Sequence, residues 1–174
     1  LCAIANLLEP GTPSIPGWTA RISALSEKMA KKAGLKAENL ENLIFASLLS
    51  HSGLLRSVNM LPTQPNVNPR IDRQISCEII QSLGLPPEVS DVVSHIDERF
   101  DGRGEPKGLV GDAIPLASRI LQLVTGYVAM VEPGMRPNRE ALSRERALAI
   151  LKRRAGSVYD PDLLKTLEHV TESD

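Results

Sequence analysis

The sequence predicts an all-α domain, a single helical bundle. Three observations carry that prediction. No stretch alternates apolar and polar residues with the period of two that a half-buried strand needs. Apolar residues instead recur at spacings of three and four, and Gly and Pro cluster between those segments, where they end one helix and begin the next. Aromatic residues, which favour strands, make up only 3% of the chain. With 174 residues, 42% of them hydrophobic, the chain can close one core without disulfides or metals to staple it. Residues 1–174 are therefore read as one domain of about seven to nine helices.

Taken in order, residues 1–8 (LCAIANLL) are apolar and are stopped by Pro10, Gly11 and Pro13. Residues 1–12 are expected to be a linker helix, because the chain opens at Leu1 and is read as continuing from an upstream domain. Trp18, Ile22, Leu25, Met29 and Ala33 then make an apolar stripe that Gly34 ends, and Leu40, Leu43, Ile44, Ala46 and Leu48 mark a second helix closing near Ser50 and His51. Beyond Gly53, a Pro- and Asn-rich loop over 59–69 leads to a helix from about Arg70 to Leu83, with Ile71, Ile75, Ile79 and Leu83 as its expected apolar face. Gly84 ends that helix, and Pro86 and Pro87 open another that carries Val89, Val92, Val93 and Ile96. A long core helix is expected from Pro115 to Val131, followed by closing helices over Arg139–Arg154 and from an Asp160 cap to Val170.

Composition excludes several function classes. A net charge of −1 with both signs interspersed offers no basic face for nucleic acid and no polybasic membrane patch. No apolar run approaches a membrane span. Cys2 and Cys77 have no metal-ligand or redox spacing, which points to a reducing, cytoplasmic setting.

The most irregular stretch lies between the fourth helix and the core helix. Gly102, Gly104, Gly108, Gly111 and Pro106 fall within ten residues, together with Arg99, Asp101, Arg103, Glu105 and Lys107. No regular helix tolerates such a density of Gly and Pro, and a loop so constructed is a natural functional element. Read for its fold alone, it reverses the chain and launches the core helix, with Asp101 and Asp112 capping the neighbouring turns.

From Glu98 onward this loop and helix, ERFDGRGEPKGLVGDAIPLASRIL, resemble the signature of HD-GYP domains, HHExxDGxGYPxGLxGxxIPLxARIL. The match includes Glu98, Asp101, Gly102, Gly104, Pro106, Gly108, Leu109, Gly111, Ile114, Pro115, Leu116, Arg119 and Ile120. ASLLSHSGLL, MRPNRE and SVYDPDLL are similar to further segments of the same family, so the resemblance spans the chain. It implies a helical bundle of the HD-domain type and a place in bacterial cyclic di-GMP signalling. Members hydrolyse that messenger with two or three metal ions held by His and Asp side chains. The related HDOD group is the competing reading of the fold, but it lacks this loop.

By the same resemblance, the family's ligand positions fall on other residue types here. The His of the first helix falls at Trp18, the His-Asp pair at Ser50 and His51, and the Lys after it at Leu54. The next His falls at Asp72, the His-His pair at Ile96 and Asp97, the Asp of the core helix at Thr125, and the Tyr of the GYP triplet at Glu105. Loss of nearly all direct ligands should abolish metal binding, so no cofactor is expected. Trp18, Leu54 and Ile96 are expected to fill the vacated space and leave a small, apolar remnant. A displaced site using His51, His95, Asp72 and Asp97 is the alternative, disfavoured because a residue one step along a helix points about 100° away. For His51 and His95 a capping or half-buried polar role is preferred.

Arg136 and Arg139, beside Pro137, are similar to a family motif whose basic residues contact cyclic dinucleotide phosphates. They are the candidate dinucleotide contacts, set against solvated arginines or pairs with Glu132 and Glu140. Arg99, Asp101, Arg103, Gly104, Glu105, Pro106 and Lys107 form the candidate partner-contact loop, for which the family implies diguanylate-cyclase (GGDEF) domains. The expected function is a catalytically inactive output domain behind a receiver or other sensor, acting through protein contact. A non-hydrolysing cyclic di-GMP receptor is the alternative, with a residual phosphodiesterase third. The apolar N-terminal stretch LCAIANLL is open to two readings, pairing of two copies into a homodimer or burial against its own domain.

Overall fold

The computed structural model describes residues 17–52, 69–133 and 140–172. Seven α-helices lie among them: α1 (Trp18–Lys32), α2 (Ala37–Leu49), α3 (Pro69–Ser82), α4 (Pro87–Ser94), α5 (Leu116–Val131), α6 (Arg144–Lys152) and α7 (Pro161–Thr171). A 3-10 turn at Gly111–Ala113 precedes α5, and the described residues contain no strand beyond two isolated bridges. None of the described helices is long and apolar enough to cross a membrane. The segments Leu1–Leu8, Leu54, Arg136 and Arg139, on which expectations rested, lie outside the described residues.

The apolar spacing of α5 makes it the centre of the bundle. Ala117, Ile120, Leu121, Leu123, Val124, Tyr127 and Val128 are all buried, and the helix packs against α1, α2, α4, α6 and α7. Each fully buried Leu or Ile contributes roughly 1.5–3 kcal/mol, so this helix alone carries a large share of the core. Gly34 and Gly84 take positive φ of 76° and 66° directly after α1 and α3, as helix ends require. Asp160 caps α7 as expected, accepting from the amides of Asp162 and Leu163 at 2.8 and 3.4 Å.

Two element expectations need correction. The first closing helix starts at Arg144, not Arg139, because the Ser143 hydroxyl accepts from the Arg146 amide and the Leu142 amide bonds back to the Met130 carbonyl. Residues 140–143 therefore lie outside the helix, with Leu142 held to the end of α5.

The second concerns α3. Its buried stripe is Asp72, Ser76 and Ile80, whereas Ile75 and Ile79 are half-buried and Leu83 is 55% exposed. Among the described residues the helix packs on α4 and turns its polar stripe to the end of α2, where Arg73 and Ser76 bond the Ser50 carbonyl.

Candidate functional site

The chain from His95 to Gly111 is assembled around one buried side chain. Glu98 is 1% exposed, and its carboxylate accepts from the amides of Lys107 at 2.7 Å and Leu109 at 3.0 Å. Its backbone carbonyl accepts from the Gln122 side chain, which fastens the loop's root to α5. Gly104 passes directly over that root, and the Gly111 amide closes a bridge to the Phe100 carbonyl at 3.0 Å. The amides of Phe100 and Asp101 donate to the carbonyls of Val158 and Ser157, so the loop is also pinned to the turn before α7.

Arg119 completes the frame by bonding Asp112 at 2.6 Å and Asp160 at 2.7 Å. Asp112 thus bridges the loop to α5 through Arg119 and is not a turn cap as expected, because that guanidinium reaches it first. Asp101 does cap its own turn, accepting from the Arg103 amide at 3.1 Å. The Arg99 guanidinium beside it holds its carboxyl below the usual range and is itself raised in return.

Of the candidate contact residues, Arg103, Glu105, Pro106 and Lys107 form the exposed apex. Arg99 and Asp101 are half-buried and bonded to each other at 2.9 and 3.1 Å, so they shape the loop more than they offer it.

Beneath the loop lie the positions where metal ligands were expected. Trp18 is 7% exposed and meets the His51 ring edge-on, with ring centres 4.6 Å apart. The Ser50 hydroxyl lies 2.8 Å from His51 Nδ1. Ile96 belongs to the hydrophobic core. Trp18 and Ile96 are thus both buried in the core.

The feature that sequence reading missed is Arg73. Its Nε and Nη2 grip both carboxylate oxygens of Asp97 at 3.1 and 3.3 Å, while Nη1 donates to the Ser50 carbonyl at 2.9 Å. The Ser76 hydroxyl adds a bond to that same carbonyl at 3.2 Å. The only sequence signal for this would have been the polar i, i+4 pair Asp72 and Ser76 in a helix whose neighbouring stripe is apolar.

The structure joins Ser50 and Asp97 through Arg73, with His51 beside Ser50 and Trp18 against His51, and it does not gather the proposed displaced set. His95 is turned to its own helix, with Nδ1 2.8 Å from the Asp91 carbonyl, and Asp97 is held by Arg73. Asp72 and the Thr125 hydroxyl are buried. Among the described residues, no three His, Cys, Asp or Glu side chains are placed to hold a metal ion. An indole, a serine and a guanidinium-bound carboxylate are a poor donor set for a divalent cation, so the residues present do not fit the metals that the resemblance implies.

The expected small, apolar remnant is corrected. A groove of about 830 Å³ opens between α3 and the loop, bordered by Arg73, Gln74, Cys77, Asp97, Arg103 and Glu105 among the described residues. Arg73 and Asp97, bonded to each other, both line it. Burial pushes the Cys77 thiol at its edge upward, which disfavours its thiolate.

His51 gives this site a pH signature. Burial first, and the Arg73 charge second, push its imidazole down from 6.5 to about 3. The unfolded chain then binds a proton in a range where the folded one does not. The stability contributed is complete above pH 6.5 and is lost as pH falls toward 3. Between pH 7 and 5 the wild type should lose about 2 kcal/mol more than the His51→Gln variant in urea unfolding. Parallel pH profiles of the two proteins would show that the ring is not shielded as described.

A family model described as an HD domain matches residues 3–163. The cyclic di-GMP phosphodiesterase response regulator RpfG of Xanthomonas campestris pv. campestris is 29% identical over 178 aligned residues, covering 96% of this chain and 46% of that protein. The 3'3'-cGAMP-specific phosphodiesterase 3 of Vibrio cholerae is 23% identical, over 95% of this chain and 37% of that protein. A crystal structure of a cyclic GMP-AMP-specific phosphodiesterase of V. cholerae, V-cGAP3, superposes with a TM-score of 0.77 at 21% identity, covering 98% of this chain and 47% of that one. The chain thus spans about half the length, or less, of the relatives it matches.

Proposed function

The chain belongs to the HD-domain family, with a signature loop of the HD-GYP kind, and from that premise we propose that it is a catalytically inactive signalling output domain. It acts in the cytoplasm through protein contact, in bacterial two-component or cyclic di-GMP signalling. One observation carries this reading: the positions that would supply metal ligands are occupied by Trp18, Ser50, Ile96 and an Asp97 already neutralised by Arg73. Hydrolysis in this family requires a metal-activated water, and these side chains provide no place to make one. The scaffold around them, from Glu98 to Arg119, is intact, which suits a surface kept for recognition.

Incubating the purified chain with cyclic di-GMP or 3'3'-cGAMP, with Mn²⁺ or Fe²⁺ supplied, should yield no linear dinucleotide. Turnover above a metal-free control would overturn the reading. Binding to a purified GGDEF domain should weaken when the exposed apex is reversed in charge by Arg103→Glu with Lys107→Glu, while the melting temperature stays unchanged.

A second reading, a non-hydrolysing cyclic di-GMP receptor, is favoured by the open groove, whose rim carries Arg73, Arg99 and Arg103. Arg73 and Arg99 are already committed to Asp97 and Asp101, which places this reading second. Calorimetric titration with cyclic di-GMP separates the two, since the first predicts no heat.

A further inference from the structure

We propose that Arg73 is a built-in cation that takes over, at this site, the cross-linking work a metal ion would do; this rests on the reading of the chain as an inactive HD domain. The three segments it joins are the end of α2 at Ser50, the first turns of α3, and the turn after α4 at Asp97. Ser50 and Asp97 are two of the positions at which the family pattern places metal ligands. Neither presents a metal-ligating side chain to a common point, yet both are held to one positive centre.

The chemistry of a guanidinium suits this exchange. A metal ion draws several oxygen or nitrogen donors inward from different helices. A guanidinium has five N–H donors in one plane, so it can satisfy a carboxylate through two parallel bonds and a carbonyl through a third. Here Nε and Nη2 face the Asp97 carboxylate and Nη1 faces the Ser50 carbonyl. The Arg73 side chain is only 17% exposed, so the charge sits largely within the protein, while Asp97 is 42% exposed and keeps its outer side hydrated.

Without the guanidinium, the Asp97 carboxylate and the Ser50 carbonyl would be two acceptors with no shared donor. The Ser76 hydroxyl would still reach Ser50, but among the described residues no other side-chain bond would tie Asp97 to α3. Among the described helices α3 packs chiefly on α4, and its apolar stripe is half exposed, so a polar tie at its start matters more than it would in a deeply packed helix. The same residue opposes a divalent ion in two ways. It is a like charge, and it occupies the carboxylate that such an ion would need.

The test compares the wild type with Arg73→Gln, Asp97→Asn and the double variant by thermal unfolding, each with EDTA, Mn²⁺ or Zn²⁺, alongside metal analysis of the purified proteins. The wild type should carry far less than one metal per chain, and its melting temperature should not respond to chelator or metal. Arg73→Gln and Asp97→Asn should each lower it by roughly 4 to 8 °C, and the double variant no further than the worse single. Arg73→Lys should recover less than half of the loss, because a point charge on a flexible stem cannot hold both partners in one plane. Asp97→Asn preserves side-chain size at an exposed position, so it reports on the tie even if Arg73→Gln does not fold.

Near-stoichiometric metal, or a wild-type melting temperature raised by Mn²⁺ or Zn²⁺, would overturn both this inference and the inactive reading. Additive losses, or single variants that melt with the wild type, would sink the inference alone, provided no dinucleotide is hydrolysed.

Discussion

Replacing Glu98 by Ala should cost roughly 3 to 5 kcal/mol and lower the melting temperature by roughly 10 °C. The carboxylate is the only feature of the loop's interior that accepts from both the Lys107 and the Leu109 amides, and it does so from a nearly fully buried position. Its removal leaves two backbone donors facing a space where a side chain used to be, and each such orphan costs roughly 1–3 kcal/mol. Glu98→Gln should fall between the two proteins. Its carbonyl can keep one amide, but its NH₂ group then confronts the other donor. Urea unfolding of the three proteins measures the order, and protease cutting within residues 102–110 should become faster in the same order. If Glu98→Ala unfolds within 1 kcal/mol of the wild type, the loop is not organised by this residue.

Gly104→Ala should be at least as damaging locally, for a steric reason. A Cβ at this position would lie 2.1 Å from the Arg99 nitrogen, 2.4 Å from the Glu98 carbonyl carbon and 2.5 Å from the Glu98 Cα. All three are backbone atoms, so no rotamer change relieves the overlap, and the strand of loop carrying Gly104 must move off the root of the loop. A cost of about 3 kcal/mol or more is expected. Gly102→Ala is the instructive comparison. There the nearest atom is a methyl of Val110, which is exposed and can swing away, although the φ of 78° still penalises Ala. Gly104→Ala should therefore exceed Gly102→Ala in loss of stability. It should also abolish binding by any partner that contacts Arg103, Glu105 and Lys107, because the apex loses its shape. Equal stability of Gly104→Ala and the wild type would contradict the close approach seen here.

The helices were legible because their signals are local. The three- and four-residue spacing of Trp18, Ile22 and Met29, the Asp-Pro start at Asp160, and the positions of Gly34 and Gly84 each report on a neighbourhood of a few residues. The same holds for the loop, whose glycines and Pro106 announce a bent backbone wherever the rest of the chain goes. The rotation of α3 was not legible. A spacing of four makes Ile71, Ile75, Ile79 and Leu83 look like a core face, yet burial is decided by what the helix meets, and among the described residues it packs on α4 and turns its polar stripe to the end of α2. The start of α6 at Arg144 was hidden similarly, since the bond from the Leu142 amide to Met130 is made only once α5 is in place.

For the site, sequence by itself determined which residue types stand at the positions that the resemblance aligns with ligands: no histidine stands at Trp18, Ser50 or Ile96. What only the tertiary structure decided is what those positions do instead. Trp18 lies against His51, Arg73 reaches from one helix to a carbonyl 23 residues before it and a carboxylate 24 residues after it, and a wide groove runs past Asp97 where only a small, apolar remnant was expected. The reason is physical. A ligand position is a property of one residue and its neighbours along the chain, whereas a guanidinium's partners are whichever acceptors the packed helices bring within 3 Å or so, and that distance does not exist until the helices have packed.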